Sequence, residues 1–206
     1  MVKFCTLSDI ERFVFEVQKE YQNIQGLILS EHDAQCLLFG KIQTHLLSNN
    51  FLSIPSDDTT PQIFVSPLHT EIRFLDDNNK LLISPDITIL DKGIRLIREP
   101  NEREGASKII KSKGFVFYCS ALVIELKFCK NKTGITPAFT RKIEQDCEKI
   151  DGLRRLYSEN QPETLNGCVI VFSRSNRKCQ EFDDLMMRYS NHPVVRILYA
   201  TAGLNL

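Results

Sequence analysis

Nowhere in the 206 residues does an apolar run approach the roughly 20 residues that a helix needs to cross a bilayer, so no membrane span is expected. The start, Met1 to Asp9, meets acidic residues and helical periodicity before a secretory apolar region can develop. No signal peptide is expected, and a cytoplasmic location follows. There is no Cys-x-x-Cys pair, and the seven cysteines are an odd number, which argues against a disulfide framework or a structural zinc knuckle. Cys36, Cys147 and Cys168 fall at core-like positions, where a reduced thiol behaves as a small hydrophobe.

Other chemistries are missing their motifs as well. The four histidines, His32, His45, His69 and His192, lack metal-ligand spacing. There is no Gly-x-Ser-x-Gly elbow, and Gly40-Lys41 lacks the remainder of a phosphate loop. No Cys–His motif recommends cysteine catalysis. Nor is there an excess of charge: the formal net charge is +0, although a balanced total can hide a basic face. Lys108, Lys111 and Lys113 cluster in one segment and Lys127, Lys130 and Lys132 in another, as a binding face or as plain solvated surface. Without repeats, low-complexity tracts or a linker, one domain over 1–206 is expected.

What is present is a globular composition, 25% charged and 42% hydrophobic, with clear periodicity. Ser8 and Glu11 suggest a capping box for a helix over 8–24, with Ile10, Phe13, Val14, Val17 and Tyr21 as its apolar stripe and Gly26 as its stop. Ser30 with Asp33 opens a second helix, running through Ala34, Leu37, Leu38 and Ile42 towards Leu47. Beyond Phe51 strands are expected: Gln62–Ser66, then a hairpin of Glu71–Leu75 and Leu81–Leu90 across the polar turn 76–80. Asp91-Lys92-Gly93 suggests a second hairpin turn ahead of Ile94–Ile97. Residues 99–114 read as a polar loop. Phe115–Phe128 is the longest apolar run, followed by a helix over 138–160 with Ile143, Cys147, Ile150 and Tyr157 as its core stripe. A strand near 168–172, a helix near 181–189 and a strand near 194–199 complete the order.

The segment Ala121–Phe128 reads as a buried strand, yet Glu125 and Lys127 lie inside it at a spacing of two, on one face. Burying isolated charge costs several kcal/mol. Either the strand is an edge whose polar face is wet, or the two residues line a cleft that holds a metal ion. A third residue favours the cleft. In Ile83–Leu90 the isoleucines alternate to one face and leave Ser84, Asp86 and Thr88 on the other, with Pro85 placing an irregularity just before Asp86. Two carboxylates and a lysine suit phosphodiester hydrolysis: hard oxygen ligands hold Mg²⁺ or Mn²⁺, which lowers the pKa of a water and neutralises charge on the phosphate. The lysine adds a positive point charge.

Pro85-Asp86 on one strand and Glu125-Leu126-Lys127 on the next long one resemble the motif of the PD-(D/E)xK nuclease superfamily, with its restriction-endonuclease-like fold. The element order from Ser30 to Ser173 is similar to that family's helix-strand-strand-strand-helix-strand core. The fold class implied is α/β, an α+β mixed sheet flanked by helices, with an added N-terminal helix 8–24 and a C-terminal helix and strand over 180–201. The resemblance implies a metal bound by Asp86, Glu125 and the Leu126 carbonyl, with Lys127 handling the attacking hydroxide. Glu31 is the family-like helix glutamate of the metal site, or else a carboxylate favoured by the helix dipole. Gln145 and Lys149 look like the positions that the following helix points at the site or the substrate backbone; a solvated helix face is the alternative. The implied function is a Mg²⁺-dependent nuclease on DNA, with Mn²⁺ as a substitute. The alternative is a catalytically silent fold that binds nucleic acid or protein. A double-strand cutter would need two sites, hence a homodimer, and residues 99–114 are the candidate contact for nucleic acid.

Overall fold

In the computed structural model, which describes residues 4–24, 26–55, 64–75, 81–91, 94–96, 109–110, 115–117, 120–158 and 165–204, four helices and twelve strands are formed among the described residues. Helix α1 (Leu7–Asn23) starts one box earlier than expected: Thr6, not Ser8, is its cap, and Asp9, not Glu11, completes the reciprocal pair. The Asp9 carboxylate accepts from both the Thr6 amide (2.9 Å) and the Thr6 hydroxyl (2.8 Å), so the earlier box satisfies more donors. Its stripe, Ile10, Phe13, Val14, Val17 and Tyr21, is buried as the spacing predicts.

Helix α2 (Glu31–Ser48) is capped by Ser30 and Asp33 as expected and buries Ala34, Leu38, Ile42 and Leu46. The stripe ends on Leu46, and Leu47 faces outward. Cys36, expected in the core, is exposed, because it stands two residues past Ala34 and so is turned about half way round the helix.

The main sheet has the order β12-β11-β10-β6-β3. Its centre is β10 (Ala121–Cys129), parallel to β11 (Leu165–Ser175), which is parallel in turn to β12 (Val195–Leu204). On its other side β10 pairs antiparallel with β6 (Ile87–Leu90), and β6 with β3 (Leu68–Thr70). The parallel half comes from two crossover units, with α3 (Pro137–Ser158) joining β10 to β11 and α4 (Gln180–Ser190) joining β11 to β12. Parallel strands covered on both faces need apolar side chains throughout, and the run Cys168–Phe172 is fully buried. The chain is thus a mixed α/β structure, and the element 180–201 supplies a strand of the same sheet. No described helix is long and apolar enough to cross a membrane.

Smaller sheets surround this one. β1 (Ile54–Pro55) pairs with β2 (Phe64–Val65), and the expected first hairpin forms from β4 (Phe74–Leu75) and β5 (Leu81–Ile83). The expected second hairpin does not form: β7 (Ile94–Leu96) pairs with β9 (Phe115–Phe117) instead of returning along β6. Both edges of β6 are already taken, by β10 and by β3. The apolar run 115–128 is divided between β9 and β10, and within the expected polar loop Ile109–Ile110 forms β8 against β9. The rest of that loop, including Lys108, Lys111 and Lys113, lies outside the described residues, as do the turns 76–80 and 92–93 and the side chain of Tyr157.

Helix α1 lies along the outer strand. Gln22 donates to the Thr201 carbonyl (3.1 Å) while Gln18 accepts from the Thr201 amide (3.1 Å), so two side chains occupy the backbone groups a further strand would use. Two glycines permit close approaches. At Gly167 a Cβ would come within 2.5 Å of Ile150, so α3 rests directly on β11 there. At Gly134, φ is +88° and a Cβ would meet the Arg177 carbonyl oxygen at 2.1 Å, while the neighbouring Ile135 amide donates to that same oxygen (3.0 Å). Gly134→Ala combines left-handed backbone with a backbone clash, and is expected to destabilise the fold by more than about 1 kcal/mol, measured by denaturant unfolding.

Candidate active site

Proline has no amide proton to give to a ladder, and Pro85 closes β6 at Ile87. The pairing between β6 and β10 therefore stops at Ile124, and the register, extended by one step, sets Asp86 opposite Glu125. Beyond that point β10 continues for five residues with no strand on that side among the described residues, its amides at Leu126 and Phe128 turned outward. Carboxylates take the place of the missing strand: the Leu126 amide donates to Asp86 Oδ2 (2.7 Å) and the Phe128 amide to Glu31 Oε2 (3.2 Å). Two acidic residues, from the strand break and from the first turn of α2, are thus held by open backbone donors beside Glu125 of β10.

Lys127 lies at the centre. Its Nζ donates to the Leu126 carbonyl (2.9 Å) and is 3.1 Å from Asp146 Oδ2, 3.7 Å from Glu125 Oε2 and 3.9 Å from Glu31 Oε1. Asp146 and Glu125 are almost fully buried, whereas the Glu31 side chain is half exposed. The other Asp146 oxygen accepts from Lys149 (2.8 Å), which stands at the rim with about half of its side chain in solvent. Gln145 is exposed on the neighbouring face of α3.

Sequence reasoning thus named Glu31, Asp86, Glu125 and Lys127, which come together, and Lys149, which joins them through Asp146. It missed Asp146 and Gln35. Asp146 carries its own signal, since it lies three residues after Ile143 and four before Ile150, inside the apolar stripe of a helix that Thr136 caps and Pro137 begins. Gln35 is likewise a polar residue on the buried side of α2; it donates to the Asp86 main-chain carbonyl (2.8 Å) and pairs through its own carbonyl with His32 Nδ1 (3.2 Å). Glu71, held in left-handed backbone at φ 51°, donates its amide to the Pro85 carbonyl (3.1 Å) and adds negative charge near Asp86.

The electrostatics follow from burial. The Glu125 carboxyl is pushed up from its usual 4.5 to about 8, first by burial and then by the charge of Asp86, with Lys127 opposing. Asp86 is raised too, chiefly by burial, against the pull of the Leu126 amide and Lys127. Burial lowers the Lys127 ammonium, but Asp146, Glu31 and Glu125 outweigh it and leave its pKa raised. Four carboxylates against two ammonium groups give the cluster a formal excess of two negative charges. Among the described residues no group of three or more His, Cys, Asp or Glu side chains is placed to hold a metal ion. The arrangement offers a carboxylate pair, a backbone carbonyl and an adjacent ammonium.

Compared with known proteins, the chain matches no family, no curated protein and no solved structure.

Two outcomes are expected. Gln35→Ala leaves the partly buried Asp86 carbonyl without its donor and should cost about 1–3 kcal/mol, read as a lower thermal midpoint by about 2–4 °C per kcal/mol. In metal-free protein, the folded state holds a proton on Glu125 that the unfolded chain releases near 4.5, so the stability tied to that proton is complete below pH 4.5 and is lost as the pH rises to about 8. Thermal midpoints recorded in chelator between pH 5 and 9 should show this fall, and Glu125→Gln should flatten it.

Proposed function

We propose that this chain is a Mg²⁺-dependent nuclease acting on DNA, with a restriction-endonuclease-like core between α2 and β11. The observation that carries the reading is the convergence of Asp86, Glu125 and Lys127 at the place where Pro85 opens the edge of β10. The order of a helix, antiparallel strands, the strand with Glu125 and Lys127, then a helix and a parallel strand supports the same core.

The donors fit a hard divalent cation. Asp86 and Glu125 face each other across the end of the β6–β10 ladder, and burial together with the charge of Asp86 keeps a proton on Glu125 that a dication would replace. Mg²⁺ typically uses one or two carboxylates together with waters and substrate phosphate, so an open pair with the Leu126 carbonyl is a sufficient protein contribution. When bound, the ion supplies Lewis acidity towards the phosphate and lowers the pKa of a water. The Lys127 ammonium lies beside the carboxylate pair, mostly buried, where positive charge counterbalances charge building on the scissile phosphate. Glu31 adds a carboxylate at the rim, and the exposed Lys149 and Gln145 face the substrate backbone. A single centre cuts a single strand, so cleavage of duplex DNA requires two copies, as in a homodimer.

The reading is tested by incubating the protein with duplex, single-stranded and branched DNA and with RNA, in Mg²⁺ or Mn²⁺ and in chelator. Metal-dependent cleavage is expected, with Asp86→Ala and Lys127→Ala each reducing the rate by about 10²–10³ or more while the fold is retained. Undiminished cleavage by both variants overturns the assignment. Salt-dependent binding with no cleavage of any substrate establishes instead a silent fold that serves as a binding module.

A further inference from the structure

Lys127 has more partners than a charge aimed at phosphate requires. Under the nuclease reading, on which this inference rests, the Leu126 carbonyl and Glu125 are committed to the cation, and Glu31 already spends one oxygen on the Phe128 amide. On that reading each of these partners would have another group to serve once a cation and a phosphate were bound. Asp146 differs from them. It belongs to α3 instead of the strand, it is almost fully buried, and its contact with Lys127 is the closest of the three carboxylate contacts, at 3.1 Å. Its second oxygen is fixed by Lys149 at 2.8 Å, so the carboxylate is held between two ammonium groups.

A carboxylate buried in the apolar stripe of a helix is costly unless paired. Here the pairing runs to the one cation that the reaction needs in a fixed place. We propose that Asp146 is a positioning residue, which holds the Lys127 ammonium at the reaction centre independently of the groups that bind the metal. The helix carrying it is seated on β11 at Gly167 and begun by the Thr136 cap, so the anchor is rigid with respect to the sheet.

The test compares Asp146→Ala and Asp146→Asn with the native chain, with Asp151→Asn, a charge removed from the Arg155 pair on the same helix, as control. Two measurements are made: steady-state cleavage of DNA with a Mg²⁺ titration, and the NMR signal of the Lys127 ammonium in metal-free protein, assigned with Lys127→Arg. Asp146→Ala is expected to lower kcat by about 10–100-fold with KM and half-saturating Mg²⁺ unchanged, and to lose the slowly exchanging ammonium signal. Asp146→Asn, whose side-chain carbonyl still accepts, should retain more of both, and the control should match the native chain. A persisting ammonium signal in Asp146→Ala overturns the proposal, as does a half-saturating Mg²⁺ that rises in step with the loss of kcat, or a matching loss of thermal stability. If the native chain cleaves nothing but the signal is lost in Asp146→Ala, the nuclease reading falls and takes the catalytic role of Asp146 with it, leaving only the ordering of the ammonium. If it cleaves and the signal persists, the positioning role falls and the reading stands.

Discussion

The arrangement depends on one interruption of a hydrogen-bond ladder. β10 is longer than the strand beside it, because Pro85 withholds an amide and closes β6, and the surplus of β10 presents amides with no strand to receive them. Backbone groups in a protein interior must find partners, and here the partners are carboxylates. Asp86 is drawn in by Leu126 and Glu31 by Phe128. Two of the acids of the cluster are therefore held in place by the way the sheet ends.

Collecting acids in a buried place has an electrostatic consequence. With Asp86, Glu125, Glu31 and Asp146 gathered round Lys127, the ammonium stays charged despite burial, and burial with the charge of Asp86 keeps a proton on Glu125. Lys127 is thus the group that makes the cluster tolerable. Removing a counter-charge from such a set leaves the others uncompensated, so the four acids and two lysines behave as one unit instead of as separable contacts.

Much of this is legible in the chain itself because it is local. Helical stripes, the Ser30 cap, the polar turn of the first hairpin, and two charges in an apolar run are all set by neighbours a few residues away. What was not legible is what depends on distant competition or on helical phase. β7 looks outward for a partner only because β10 and β3, from far apart in sequence, occupy both edges of β6. Gln145 and Asp146 are adjacent letters, yet about 100° apart around the helix, so one is exposed and the other reaches Lys127. The cap at Thr6 was overlooked because the next Ser-x-x-Glu offers the same pattern two residues later, and only the contacts distinguish them.

The outer strand β12 has a consequence of a different kind. Sheets with a bare edge are templates onto which another chain can add a strand, and repeated addition gives fibres. With Gln18 and Gln22 of α1 engaging the two backbone groups of Thr201, the first helix acts as a side-chain imitation of a missing strand. Loss of α1, by proteolysis or by truncation of the gene, would uncover that template along with the apolar stripe that α1 buries. Helix α1 thus covers part of the edge of β12 through side chains, where another strand would use backbone groups.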